Sequence, residues 1–333
     1  MKRPFLGIDT SCDDTSVAIY WLHSKQYREL RKSQAVHAPY KGVVPELASR
    51  DHLYTLPLLV KEILDETKTI PKEIEGIGIT NRPGLLGSLL VGLSYAKALA
   101  YTWKKPFLGI NHIEGHLFSA FLQNFSPKYP FLGVILSGGH SEIIFVKGLG
   151  NYKLIGSTVD DAAGEALDKI ASYIGLGYPG GPAIEKAAKH GDLKRFSFPI
   201  ANVKRKPLHF SFSGVKTAAL SIIQKEAVSN KQFKNDLAAC FQYAVFKQIE
   251  DRIRKAIKEL SCKRLVFGGG VVANNNLRHI IQTRFGKELE IYFPKPELCT
   301  DNAAMIAQLA AWKMSRGEQS DLSLSAKSLA GIC

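Results

Sequence analysis

The sequence predicts an α/β protein of two similar lobes, on three observations. The chain has 333 residues, more than one ordinary domain holds. The string Pro-Phe-Leu-Gly stands at 4–7, 106–109 and 130–133, and its first and third copies open similar devices: an apolar strand, a tight polar turn and a second β-branched strand. Further along, a short apolar strand runs into three glycines and then a helical pattern, a junction that lets a phosphate approach backbone at a helix N-terminus.

The elements follow in order. Phe5–Ile8, the turn Asp9–Asp14 and Thr15–Tyr20 form the first hairpin. Apolar spacing predicts helices over Leu53–Glu66 and Leu85–Tyr101, with short strands at Ile74–Thr80 and Phe107–Asn111. The second hairpin is Phe131–Leu136, the turn Ser137-Gly-Gly-His140, and Ser141–Val146; at an offset of 126 residues Ser11 falls on Ser137 and Thr15 on Ser141. Two lobes, each opened by such a hairpin, explain the match, and turns of small polar residues present N–H groups to anions. A helix over Ala162–Ile174 precedes a glycine-rich turn, Gly175–Pro182. A long basic helix, Asn235–Leu260, is followed by a strand over Lys263–Phe267, Gly268–Gly270, and Val271–Asn274 opening a helix. The expected division is a first lobe over 1–117, a second, basic lobe over 118–302 carrying the nucleotide-type loops, and a C-terminal helix over 303–333 packing back on the first lobe.

Hydrophobic content of 45% and charged content of 22% are globular values. The sequence predicts no membrane span and no secretory leader. Five cysteines, at 12, 240, 262, 299 and 333, are scattered without a Cys-x-x-Cys pair, which excludes a zinc ribbon, argues against a disulfide frame, and points to a reducing, cytoplasmic home. The net charge of +14 is unevenly placed: from Lys186 to Arg264 there are 18 Lys/Arg against 6 Asp/Glu. Lys194-Arg195, Lys204-Arg205-Lys206, Arg252, Arg254, Lys255, Lys258 and Lys263-Arg264 supply most of the excess. One such run alone is usually a solvated face. So large a surplus points to a polyanion, with nucleic acid ahead of membrane because no amphipathic apolar stripe accompanies it.

Asn111-His-Ile-Glu-Gly-His116 carries the strongest chemical signal. In a helix, a four-residue step puts His112 and His116 on one face, one turn apart, where neutral imidazoles suit zinc and iron alike. Gly115 between them weakens the helix, and a pair of core histidines is the bland alternative. Asp301, in Cys-Thr-Asp-Asn, is the candidate third ligand.

Together these features resemble the two-lobed actin/hexokinase class (ASKHA). More narrowly, they resemble the tRNA N6-adenosine threonylcarbamoyltransferase family (TsaD), in its bacterial form. The motifs run nearly end to end: Gly7–Thr15, Gly42–Glu46, Pro83–Gly92, Asn111–His116, Ser137–His140, Asp160–Glu165, Gly175–Pro182, Phe210–Gly214, Gly268–Asn274 and Cys299–Asn302. The resemblance implies one divalent metal, Fe(II) or Zn(II), on His112, His116 and Asp301. It implies substrate contacts at Ile135, Leu136, Ser137, Gly138, Gly139, Asp168, Gly181, Glu185 and Asn274. The implied reaction moves a threonylcarbamoyl group from threonylcarbamoyl-AMP to N6 of adenosine 37, just 3′ of the anticodon, in tRNAs reading ANN codons. The implied partners are tRNA, a TsaB-like paralogue and a TsaE-like ATPase. Four positions depart from the family pattern: Asp9 and Asp14 stand for glutamate, Arg82 for glycine, and Glu185 for aspartate. Arg82 alone adds bulk and positive charge.

The residues agree with that chemistry. A mixed anhydride is already activated, so the enzyme positions a weak aromatic amine and stabilises a tetrahedral transition state, for which a His/His/Asp metal with open positions is suited. Asp13, a carboxylate in the first turn, is the candidate proton acceptor; its alternative role is to fix that turn. Asp168 follows Glu165 by about one helical turn and is either a substrate acceptor or a dipole-offsetting carboxylate. Glu165, Asp160 and Asp161 read as structural. The target base lies in a loop and can be splayed out without breaking a duplex. Two rival readings are a metal-dependent endopeptidase and a nucleotide-dependent small-molecule kinase on the same fold. Zinc peptidases of the His-x-x-x-His type need glutamate directly after the first histidine, and this chain has Ile113 there, with Glu114 one place later.

Overall fold

The computed structural model describes residues 3–40, 42–123, 126–201, 203–204, 206–226, 230–329 and 331–332. Arg205, within the basic run, and Cys333 lie outside the described residues. The chain divides into one unit of residues 1–126 and 301–332 and a second of 127–300.

In the first unit β1 (Pro4–Asp9) and β2 (Asp14–Trp21) form the expected hairpin, and β3 (Gln26–Ser33) pairs antiparallel with β2. β1 is buried at every residue because β2 flanks it on one side and β4 (Gly76–Arg82) runs parallel on the other. β5 (Phe107–Asn111) completes the sheet in the order β3-β2-β1-β4-β5. α1 (Pro45–Thr67) starts eight residues before the expected Leu53. Pro45 seeds its first turn, where Glu46, Arg50 and Asp51 mask any apolar period. α2 (Leu86–Trp103) follows β4, and the His112 segment forms α3 (His112–Phe118), capped by Asn111, whose Oδ1 accepts from the N–H of Ile113 and Glu114.

The second unit repeats this plan. β6 (Phe131–Leu136), β7 (Ser141–Gly148) and β8 (Asn151–Ser157) are antiparallel neighbours, while β9 (Arg264–Gly268) and β10 (Glu290–Tyr292) extend the sheet in parallel, giving β8-β7-β6-β9-β10. Even the hairpin register repeats: Leu6 faces Ile19 in one and Leu132 faces Phe145 in the other, each number raised by the same offset of 126. The helices are α4 (Ala163–Tyr173), α5 (Gly180–Ala188), α6 (Ser213–Ile223), α7 (Lys231–Leu260) and α8 (Asn275–Phe285). Two boundaries differ from expectation. The glycine-rich turn gives way to α5 already at Gly180, and α7 begins four residues before Asn235 because Asn230 accepts from the N–H of Gln232 and Phe233. α7 buries Phe233, Leu237, Phe241, Val245, Ile249 and Ile253 in one core with α4, α5 and β6.

The chain then returns to the first unit as α9 (Ala303–Met314), not as a helix to 333. Gly317, at φ 89°, marks the turn, and the following residues line the free edge of β5, with Ser320 N–H donating to Phe107 O at 2.8 Å. Capping an edge in this way removes a row of unpaired backbone groups. Residues 118–126 belong to this unit and not, as expected, to the second lobe: Phe118 meets Trp312 edge-on and accepts from Gln308 Nε2. Asp301 likewise falls in the first unit, beside the two histidines. No helix among the described residues is long and apolar enough to cross a membrane.

Candidate functional site

His112, His116 and Asp301 converge, with their ligand atoms all within 4.8 Å of one another. Nε2 of His112 lies 3.3 Å and Nε2 of His116 3.2 Å from the same Oδ1 of Asp301. Ligand atoms about 2.0–2.1 Å from a tetrahedral zinc stand about 3.3 Å apart, so this spacing fits a small divalent cation. The surroundings fit as well. Nδ1 of His112 faces Asp9 Oδ2 at 3.1 Å, the carboxylate–histidine arrangement that fixes a ring with its other nitrogen free for metal. His116 Nδ1 is buried without a partner among the described residues, leaving Nε2 as its functional atom.

Local sequence explains this geometry. Asn111 ends β5 and caps α3, so His112 is the first residue of a helix and His116 lies one turn on. Gly115 is closely packed: a Cβ there would stand 3.0 Å from Met305 Cγ, so that side chain would have to give way by a few tenths of an ångström. Asp301 is held by its own backbone: Arg31 Nη1 donates to Asp301 O at 3.0 Å, and Glu29 Oε1 accepts from Ala303 N–H at 2.8 Å.

Electrostatics separate the two imidazoles. Burial opposes charge on both. At His112 the carboxylates of Asp301 and Asp9 outweigh it and raise the pKa well above the ordinary histidine value. At His116 burial prevails, joined by the neighbouring His112, and the pKa falls. Burial works to raise Asp301, but the two rings hold it well below the usual carboxylate range.

Sequence reasoning missed the supports of this site. Asp9 stood out in the sequence only as an aspartate where the family pattern has glutamate, and nothing there pointed to His112 as its partner. His52, fully buried on α1, pairs through Nδ1 with Thr15 Oγ1 at 2.7 Å and through Nε2 with Cys12 O at 2.9 Å, clamping the first turn; a carbonyl oxygen only accepts, so Nε2–H is the donor to Cys12, and burial lowers the imidazole's pKa. Asp13 lies half-buried in that turn. The neighbouring Cys12 thiol is pushed far up, first by burial and then by Asp301 and Asp13. Glu114 forms an ion pair with Lys313 of α9 at 2.9 Å.

The remaining predicted residues lie in the second unit, where Asp168 and Gly181 are in direct contact and others bond to residues beside the predicted ones. Gly164 N–H, at the start of α4, donates to Ser137 O at 3.2 Å. Further along α4, Asp168 Oδ1 accepts from Gly180 N–H at 2.7 Å and Gly181 N–H at 3.3 Å. On α5, Glu185 Oε1 accepts from Asn275 N–H and Nδ2 at 3.0 and 3.1 Å. Three residues sit differently from a simple contact list. Ile135 and Leu136 are fully buried in the sheet, which leaves their backbone for any contact. Asn274 caps α8 with Oδ1 and donates from Nδ2 to buried Gln242 at 2.8 Å. The glycines are more informative. Gly138, Gly139 and Gly181 have no left-handed φ, and a Cβ on any of them would meet nothing within 4 Å. Neither backbone strain nor protein packing demands glycine there, and close approach of a ligand to the main chain would.

Two sheets of identical strand order, each opened by a hairpin with a polar turn, define an actin-like (ASKHA) α/β protein. Solved structures share the architecture. Full-length HypF in a phosphate- and nucleotide-bound form is 15% identical with a TM-score of 0.63, over 94% of this chain and 55% of that one. HypF from T. kodakarensis is 13% identical with a TM-score of 0.63, over 95% and 48%. Component A of the (R)-2-hydroxyglutaryl-CoA dehydratase of Acidaminococcus fermentans is 14% identical with a TM-score of 0.56, over 94% and 99%. The chain thus spans about half the length of the HypF chains it matches. The family model of TsaD, tRNA N6-adenosine threonylcarbamoyltransferase, matches residues 26–308, and the chain belongs to that family.

Proposed function

We propose that this protein transfers the threonylcarbamoyl group of threonylcarbamoyl-AMP to N6 of the adenosine just 3′ of the anticodon in tRNAs reading ANN codons. The N6–carbonyl bond forms, the anhydride bond to phosphate breaks, and AMP leaves. The observation that carries this reading is the convergence of His112, His116 and Asp301 in a chain of the TsaD family. These residues would hold Fe(II) or Zn(II), and a bound divalent ion supplies Lewis acidity and a fixed point for substrate oxygens. The open backbone at Gly138, Gly139 and Gly181 suits the adenylate, with Ser137, Asp168, Glu185 and Asn274 shaping its surroundings. Asp13, in the turn that His52 clamps, takes the proton lost by N6. The basic second unit takes the tRNA, and a TsaB-like paralogue and a TsaE-like ATPase complete the working assembly in the cytoplasm.

Glu114 works against the peptidase alternative. A helical step of two residues turns it away from His112, and its carboxylate is committed to Lys313, so no general base flanks the first histidine. A small-molecule kinase has no need of a His/His/Asp cluster. The test is to combine the protein with threonylcarbamoyl-AMP, unmodified tRNA and the paralogue, then digest the tRNA to nucleosides. Modified nucleoside and AMP are expected in equal amounts; hydrolysis of a peptide substrate without tRNA modification would overturn the reading.

A further inference from the structure

Arg82 is a cation without a counter-ion among the described residues. Its Nε is buried and has no hydrogen-bond acceptor among the described residues, nor does a carboxylate there pair with the guanidinium. Arg252 is satisfied by His209 O, Ala201 O and Asp251, Arg278 by Val272 O and Pro294 O, and Arg195 by Asp236 and Glu226; Arg264 Nε also lacks a hydrogen bond but stands 3.3 Å from the Glu290 carboxylate, a counter-ion that Arg82 does not have among the described residues. Arginine does not shed its proton to escape burial, so an unmet N–H here calls for an acceptor from outside the chain.

Its position narrows what that acceptor is. Arg82 ends β4 and stands in register with Asn111 at the end of β5, the residue before His112. The carboxyl ends of parallel strands are where open α/β sheets present ligands. The ladder shifts between Thr80 and Arg82, an irregularity of the kind that re-aims a side chain. The backbone around it is pinned from two directions. Lys327 N–H donates to Asn81 O at 3.0 Å and Gly84 N–H to Ser328 O at 3.2 Å, while Leu85 N–H donates to Ser11 O at 2.9 Å. Ser11 in turn meets His112 Nδ1 through Oγ at 3.2 Å. The segment that follows Arg82 is therefore tied, through Leu85 and Ser11, to the first histidine of the cluster.

We propose that the Arg82 guanidinium receives an oxyanion of the small acyl donor bound at this cluster, a carboxylate or a phosphate, and so acts as a specificity-determining residue. The proposal rests on the transferase reading above and adds the substrate group recognised. A planar fork of parallel N–H groups matches both oxyanions in two-point fashion. A phosphate on the outside of a folded RNA meets exposed side chains, whereas a buried Nε is reached only by a group that enters the fold.

The test is calorimetric binding to the metal-loaded protein of three probes: threonylcarbamoyl-AMP, AMP, and N-carbamoyl-threonine. Arg82→Gln should weaken threonylcarbamoyl-AMP by about 10- to 100-fold, the range for one charged hydrogen-bonded contact, and Arg82→Lys should recover only part of the loss. If the phosphate is the group held, AMP weakens equally and N-carbamoyl-threonine does not; if the carboxylate, the pattern reverses. Thermal unfolding of Arg82→Gln should occur no lower than in the wild type, because no internal partner is lost. Wild-type and variant proteins binding all three probes alike would overturn the proposal alone. A wild type that binds none of the probes would overturn the transferase reading together with it.

Discussion

His112 faces carboxylates on both of its nitrogens, Asp9 on Nδ1 and Asp301 on Nε2, while His116 faces only Asp301. The first ring is thereby oriented by the protein and the second by packing, and the two should fail differently. His116→Ala should lose bound metal and most transfer activity with the fold intact, because one of three ligands goes; unchanged metal content and full turnover would contradict the assignment. Asp9→Ala should keep the ligands yet weaken metal affinity by about 10- to 100-fold, the usual cost of removing an outer carboxylate, as read by competition with a chelator. Asp13→Asn separates chemistry from architecture, since the amide keeps shape and loses basicity. Single-turnover transfer should slow by about 100- to 10,000-fold with metal and adenylate binding nearly unchanged, and a near wild-type rate would return Asp13 to a turn-fixing role. At this scale the histidine pair was legible because helical spacing and residue type are local properties, whereas Asp301, 185 residues from His116, had no such spacing to mark it. The roles of Asp9, His52, Glu29 and Arg31 were not legible, because each acts only after distant strands and helices are brought together.

Among the elements, β3 has the largest unforeseen part. Gln-Tyr-Arg-Glu-Leu-Arg-Lys-Ser is an edge strand with little buried surface, so it offers no apolar run to read, yet Glu29 and Arg31 on it fix the segment that bears Asp301. Burial raises the Glu29 carboxyl from 4.5 to about 7, against the helix N–H groups of Ala303 and Ala304, which favour its charge. The folded protein thus holds that proton more tightly than the unfolded chain. The contribution to stability is complete below about pH 4.5 and is lost as pH rises to about 7. Glu29→Gln should flatten that part of the stability profile by an amount on the order of a few kcal/mol, measured by denaturant unfolding across the window; parallel profiles would refute it. The helices with clear apolar periods, α2 and α4, were read within one or two residues of their ends, whereas α1 and α7 began early where a proline or an asparagine cap, not periodicity, sets the start.

Over the whole molecule the internal repeat was the most readable feature, since a hairpin register is fixed by alternation and turn length, and both survive in the sequence. The charge surplus was read less well. Arg195, Lys216, Lys247, Arg252, Arg254, Lys255 and Arg264 pair with acidic residues of the same unit, so the unpaired excess lies on other residues of the run; of the acids they use, only Asp161 and Glu290 fall outside the Lys186–Arg264 stretch. Lys204 and Lys206 have no such pairing among the described residues, and reversing both to glutamate should weaken tRNA binding and reduce its salt slope by about one unit or more. Equal slopes would mark that run as a solvated face. The division of the chain has a further consequence. His116 and Asp301 are 185 residues apart, with the entire second unit threaded between them. On the ribosome the first sheet must wait for α9, which packs directly on β1 and β4 through Gly7 and Gly78, while the inserted unit already has all its parts. The His112, His116 and Asp301 cluster is the last feature a nascent chain can close, so only a molecule whose second unit has been fully synthesised can bring all three residues together.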